Sequence, residues 1–260
     1  MGKLYLVGVG LSTDLISLRG LTIAKGSKYV FIDMYTSKLI DDSYRLAELL
    51  GREPIKLSRV DLEEKSYDRL LKYLNDGNVC LLVPGNPLIA TTHVSLIIEA
   101  SKRGFEFEII PAPGILPNAL TMSGLMIYKL GKIVTLTYPK NGIVSEYPYD
   151  VIKDNDRRNL HTVLLLEYDG ERGIEMNISE AIDLLLLLEK RRKENVITPG
   201  RLAVAVSSLG SSKARICPGK LEELKSMDIR EGPHTLIITS PKLHFMEEEA
   251  LEVVKNEFCR

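Results

Sequence analysis

The residues best suited to hold a ligand are Pro84-Gly85-Asn86-Pro87 and, after two aliphatic residues, Ala90-Thr91-Thr92-His93. An apolar run, Val79 to Val83, leads into them, and a helical pattern, Val94 to Lys102, leads out. That order reads as a buried strand, a rigid turn of small residues and a helix start. In a parallel sheet such a loop lies at the carboxyl end of a strand, where α/β proteins bind ligands.

Other groups are weighed against this loop. Gly8-Val9-Gly10 follows a first strand, but Thr13 stands where a dinucleotide fingerprint needs its third glycine. The pair reads as a tight turn and does not support NAD binding. His93, His161, His234 and His244 share no metal-ligand spacing, so no metal site is expected. His93 reads as a helix-start hydrogen bond, and His234 opens a strand after Gly232-Pro233 and could face a cleft. No Gly-x-Ser-x-Gly elbow and no Walker loop occur. Ser208 to Ser212 is a small-residue loop after a strand, either a ligand lining or a plain turn. Tyr138, Tyr147 and Tyr149 flank a long middle segment; packing is the first reading, cation–π contact with a substrate the second. The basic run Lys190 to Lys193 reads as a solvated helix end.

The elements that must position these residues alternate through the first half. Strands are expected at Leu4 to Val9, Lys28 to Ile32, Ile55 to Leu57, Val79 to Val83 and Phe105 to Ile110. Helices are expected at Leu18 to Lys25, Asp41 to Leu50, Tyr67 to Leu74 and up to Lys102. Such alternation implies a mostly parallel sheet with helices on both faces. Pro111-Ala112-Pro113-Gly114 marks the domain boundary, giving domains 1–112 and 113–260. The second half begins with a helix, Leu116 to Leu125, and becomes strand-dense: Val134 to Tyr138, His161 to Tyr168, Leu202 to Ser207 and Thr235 to Thr239. One long helix, Ile178 to Glu194, interrupts it, and a mixed sheet follows from that texture.

Composition bounds the function. The chain has 260 residues, 45% hydrophobic and 27% charged, with a net charge of −1. No strong field exists to hold nucleic acid or an anionic membrane. Cys80, Cys217 and Cys259 are scattered and suggest neither a disulfide framework nor a zinc site. A reducing compartment and a cytoplasmic location are expected. The N-terminal apolar run is too short for a signal peptide, and the leucines 184–188 are too few to span a bilayer.

Several segments, taken in order, resemble the diphthine synthases, a branch of the tetrapyrrole-methylase class. Leu4 to Leu11 is similar to that family's first strand and Phe31 to Ser37 to its second. Pro84 to His93 is similar to its PGDP-x-x-ATTH loop. Gly124 to Lys132, Tyr149 to Asn155, Leu160 to Thr162, Pro233 to Ile238 and Lys242 to His244 also match. The resemblance spans nearly the whole chain. It implies two α/β domains, a mostly parallel N-terminal sheet and a mixed C-terminal sheet, with S-adenosylmethionine in a cleft between them and a homodimeric assembly. The implied activity is successive methylation of the amino group of an aminocarboxypropyl-modified histidine on translation elongation factor 2, giving diphthine. The implied cofactor contacts are Leu11, Asn86, Ile89, Gly114, Ile115, Leu166, Leu209 and His234.

Two departures stand out. Asn86 replaces the family Asp, keeping a carbonyl acceptor and losing the charge. Gly114 stands where many relatives carry Ser. The donor already carries an activated methyl group, so no nucleophilic side chain and no catalytic base is expected, and His234 and Asn86 are expected to act by binding cofactor. The competing readings are another methyltransferase of the same superfamily and a cofactor-binding protein with weakened catalysis.

Overall fold

The computed structural model describes residues 2–40, 43–63 and 67–259. It divides into two compact units, one of Met1–Ile115 with Asp169–Gly173, the other of Leu116–Tyr168 with Ile174–Arg260.

The first unit follows the alternation of its sequence. Strands β1 (Leu4–Gly10), β2 (Tyr29–Asp33), β3 (Ile55–Leu57), β4 (Val79–Pro84) and β5 (Phe107–Ile110) form one sheet in the order β3-β2-β4-β1-β5. Every pairing in it is parallel. The apolar character of β4 follows from its central place, since all six of its residues are buried. Helices α1 (Leu18–Gly26), α2 (Ser43–Leu50), α3 (Arg59–Glu63), α4 (Asp68–Leu71) and α5 (Val94–Lys102) supply the crossovers. Ser17 caps α1 by accepting from the Gly20 amide at 3.0 Å, which satisfies one of the free donors of the first turn. The helix expected over Asp41 to Leu50 is present from Ser43, and its first two residues lie outside the described ones. Separate apolar clusters gather around Leu6 and Leu81 and around Val7 and Leu82, as alternate residues of a doubly covered sheet require.

The second unit is a mixed sheet. Its strands are β6 (Val134–Leu136), β7 (Thr162–Leu166), β10 (Leu202–Ser207), β11 (Arg215–Lys220) and β12 (His234–Ile238), ordered β11-β10-β12-β7-β6. Only β6 and β7 pair in parallel; the other three pairings are antiparallel. A two-stranded ribbon joins β8 (Tyr168–Asp169) and β9 (Ile174–Glu175). The helices are α6 (Ile115–Met122), α7 (Tyr147–Arg157), α8 (Ile178–Arg192), α9 (Leu221–Ser226) and α10 (Phe245–Phe258). Asn177 and Glu180 form a reciprocal capping box at the start of α8.

Sequence reading missed several of these elements, the short α3 and β9 among them. α7 lies in the segment read as a long connection, and α9 and α10 close a half read as poor in helix. β11 was hidden by Pro218 and Gly219, which break strand patterns; it is tolerated because β11 is an edge strand. The cysteines also correct the expectation. Cys217 of β11 and Cys259 just beyond α10 are joined in a disulfide across 42 residues, with Cα atoms 4.7 Å apart. Linear spacing hid the pair because the fold, not the sequence, brings them together. Cys80 is buried, and burial pushes its thiol up to about 12. Among the described residues, no helix is long and apolar enough to cross a membrane.

Candidate functional site

In the first unit the polypeptide leaves the carboxyl ends of β1 and β4 in opposite directions. The connection after β1 runs to β2, beyond β4; the connection after β4 runs to β5, beyond β1. Neighbouring strands whose connections leave in opposite directions mark the carboxyl-end position where open α/β sheets usually bind ligands. Gly10 and Gly85 stand there and exchange two backbone hydrogen bonds, Gly85 N donating to Gly10 O at 2.8 Å and Gly10 N to Gly85 O at 3.2 Å. Both adopt positive φ, +90° and +71°, which explains glycine at each. A Cβ at Gly8 would lie 2.7 Å from the Gly85 oxygen and 2.8 Å from Ala112 Cβ. The ends of β1, β4 and β5 therefore meet backbone against backbone.

Five of the expected site residues belong to this end of the sheet. Leu11 follows β1, Asn86 and Ile89 follow β4, and Gly114 and Ile115 follow β5. Leu11, Asn86, Ile89 and Ile115 are half-buried, so each keeps some surface for a ligand. Asn86 Oδ1 accepts from the Leu88 amide at 3.2 Å, closing a local turn, and its amide reaches Ala112 O at 3.5 Å. A Cβ at Gly114 would sit 3.2 Å from Asn86 Cβ and 3.3 Å from Ile89 Cδ1. The missing side chain is what lets the β5 loop lie against the β4 loop.

The rest of the β4–α5 loop is tied to itself. Thr91 Oγ1 donates to Pro87 O at 2.8 Å, and His93 Nδ1 donates to the same oxygen at 3.1 Å. The opposite nitrogen, His93 Nε2, lies 3.2 Å from Asp33 Oδ2 at the end of β2. His93 and Asp33 side chains are 1% and 0% exposed. The expected helix-start hydrogen bond is absent: His93 occupies the cap of α5 without a side-chain cap bond, because its ring turns back to Pro87. Sequence reading did not single out Asp33; only its place at the end of a strand marked it.

Three expected site residues belong to the second unit, and the strand register places them at one end of its sheet. His234 pairs with Ser207, and Thr235 with Leu165, so His234 lies beside the end of β7 that carries Leu166 and the end of β10 that leads to Leu209. All three are buried. The small-residue loop is stitched in place there. Ser208, at φ +49°, donates from its backbone to Pro233 O at 3.1 Å, and the Ser207 and Ser208 hydroxyls both donate to Glu231 O.

The remaining candidates are structural. Tyr149 is fully buried and donates to Glu189 at 2.8 Å; Tyr138 donates to Glu180 at 2.7 Å. The rings of Tyr149 and Tyr147 meet the chain's own cations, Arg192 over Tyr149 at 4.9 Å and Lys132 over Tyr147 at 5.2 Å. His161 enters a buried cluster that sequence reading missed. Its Nε2 donates to Glu247 Oε1 at 2.8 Å, while its Nδ1 accepts from the Ser240 amide at 2.9 Å. Glu247 also accepts from Lys129 Nζ at 2.7 Å and from the Met126 and His244 amides, both at 2.9 Å. Burial pushes the Glu247 carboxyl up, but these donors outweigh it and bring it down to about 2. Burial holds His161 below its ordinary value, with Glu247 opposing. Among the described residues, no three His, Cys, Asp or Glu side chains gather to hold a metal ion.

Residues 3–225 match the family of Tetrapyrrole (Corrin/Porphyrin) Methylases. The chain is 39% identical to a diphthine synthase of Methanocaldococcus jannaschii over 253 residues, 96% of this chain and 97% of that one. It is 38% identical to a diphthine synthase of Saccharolobus solfataricus over 256 residues, covering 97% and 98%. A crystal structure of a diphthine synthase superposes with a TM-score of 0.87 at 32% identity, covering 99% of this chain and 96% of the other.

Proposed function

The chain belongs to the tetrapyrrole methylase family of S-adenosylmethionine-dependent methyltransferases, and from that premise we propose that it is a diphthine synthase. The substrate is translation elongation factor 2 carrying an aminocarboxypropyl-modified histidine. Successive methylation of the amino group gives diphthine, an intermediate of diphthamide. The observation that carries this reading is similarity to diphthine synthases from one end of the chain to the other. The same similarity supports a homodimer.

The chain's own residues fit the cofactor. Gly85 has open space where a Cβ would stand, and Gly8 and Gly114 let the ends of β1, β4 and β5 pack as bare backbone beside Asn86 and Ile89. When bound, S-adenosylmethionine supplies a methyl group already activated on a sulfonium. The protein must then bind, orient and exclude water. Leu11, Ile89 and Ile115 offer apolar surface at the end of the first sheet, while Leu166 and Leu209 lie buried at one end of the second. An apolar wall suits a reaction whose positive charge spreads in the transition state. The acceptor amine must be neutral and in line with the breaking bond; such positioning supplies up to roughly 7–11 kcal/mol in ideal geometry. His234 and Asn86 serve cofactor binding, and no side chain is assigned as nucleophile or base.

The geometry of Asn86 favours an active enzyme over a binding protein with weakened catalysis. Its Oδ1 accepts from the Leu88 amide, a bond open to a carboxylate oxygen at the same position. The loop therefore keeps its shape without the charge.

One assay tests the function. The protein is incubated with S-adenosylmethionine and elongation factor 2 bearing the aminocarboxypropyl-histidine, and the modified peptide is weighed. Gain of methyl groups on that peptide, and none on unmodified factor, is the expected result. Cofactor binding without transfer refutes the synthase reading.

A further inference from the structure

We propose that Asp33 and His93 are positioning residues for methyl transfer: a buried span that fixes the β4–α5 loop bearing Asn86 and Ile89. The inference rests on the proposed function and says how this chain holds its donor loop.

Three observations carry it. The loop needs an external hold, because Ala90 sits at φ +57°, a conformation that costs a non-glycine residue of order 1 kcal/mol or more and persists only where surroundings enforce it. The His93 ring supplies that hold by a hydrogen bond on one edge and by a close buried approach, not a hydrogen bond, on the other. Nδ1 grips Pro87 O at the start of the loop, while Nε2 faces Asp33 Oδ2 across on β2. Asp33 is itself fixed, its Oδ1 accepting from the Tyr35 and Thr36 amides at 3.0 and 3.2 Å and its Oδ2 from the Thr36 hydroxyl. A continuous path of polar contacts thus runs from the end of β2 through His93 to Pro87, the residue after Asn86.

The pair is also poorly explained as core. A buried imidazole and carboxylate are commonly replaceable by apolar residues of like size with no loss of stability. Here they lie at strand and helix ends beside the loop, at the carboxyl end of the sheet. Neither Asp33 nor His93 is among the expected cofactor contacts, so their effect passes through the loop.

The test uses the two nitrogens separately. His93→Asn leaves an amide donor near the Nδ1 position for Pro87 but falls short of Asp33. His93→Gln reaches toward Asp33 and gives up Pro87. Asp33→Asn keeps an acceptor for the Tyr35 and Thr36 amides. Binding of S-adenosylmethionine is measured by titration calorimetry well below the melting temperature, and melting by scanning calorimetry on the same samples. Each variant is expected to raise Kd by roughly tenfold, about 1.4 kcal/mol. The Asp33→Asn/His93→Asn double variant should be within about twofold of the weaker single, as for two residues of one device. Lower melting temperatures with Kd within about twofold of wild type overturn the inference, since a pin of the fold alone gives that result. Should the buried variants not fold, Thr36→Val removes one donor to Asp33 from a position outside the loop. It should raise Kd by roughly two- to threefold with near wild-type melting, and an unchanged Kd overturns the inference. A wild-type chain that binds no S-adenosylmethionine overturns the functional reading instead, and the inference with it.

Discussion

Replacing Glu247 by Gln should unfold the second unit more readily than any other single polar change there. The carboxylate is 0% exposed and takes four donors, from His161, Lys129 and two amides. Gln keeps one acceptor oxygen and turns an NH2 group toward two of those donors. Breaking one side of a buried ion pair costs about 3–5 kcal/mol. At about 3 °C per kcal/mol for a unit of this size, that lowers melting by about 10 °C. The pH dependence gives an independent measure. A carboxyl held at about 2 in the fold, against an ordinary 4.5, contributes stability that is complete above 4.5 and lost as pH falls towards 2. That lowering corresponds to about 3 kcal/mol. His161, held below its ordinary 6.5, acts in the same direction from a higher starting pH, because burial disfavours its charged form. Urea unfolding at a series of pH values, followed by hydrogen exchange in α10, should show wild type losing this stability on acidification and Glu247→Gln losing far less below pH 4.5. A variant within about 1 kcal/mol of wild type at pH 7, or one with the same acid loss, refutes the account.

Gly8→Ala should cost about 2 kcal/mol or more and weaken S-adenosylmethionine binding together, because its Cβ would strike the Gly85 oxygen at 2.7 Å; calorimetric melting and titration check both. Asn86→Asp should bind cofactor as wild type does, whereas Asn86→Ala should lose about 1 kcal/mol by leaving the Leu88 amide without its acceptor, read in the same titration. Reducing the Cys217–Cys259 bond should lower stability by up to ~4 kcal/mol for a closed loop of 42 residues, measured by urea unfolding with and without dithiothreitol.

The legible part of this protein was its first sheet. β3 spans the residues expected of it, and β1, β2 and β4 lie within one or two, because buried parallel strands are continuous apolar runs bounded by glycine and proline. The loop at Asn86 was legible for the same reason. β11 was not, since Pro218 and Gly219 interrupt the only run that could have announced it. The disulfide and the Glu247 cluster were illegible in principle. Their members stand 42 and up to 121 residues apart and carry no local pattern, so only the folded chain shows that they meet. Asp33 is the instructive case: an acid closing an apolar strand, ordinary by itself, acquires its role from a histidine 60 positions later.

The edges of the two sheets bear on how crowded solutions of this protein behave. β3, β5 and β6, three of the four outermost strands, are three or four residues long, too short to template a neighbour. β11 is the exception at six residues. Pro218 removes a donor from its interior, and Cys217 bonds it to the end of α10. A foreign strand arriving at that margin meets an interrupted row of donors, and intermolecular β-pairing is suppressed at the one place long enough to support it. Exchange of Pro218 for a β-branched residue would supply the missing donor, and light scattering at millimolar concentration would register the strand-to-strand association that follows.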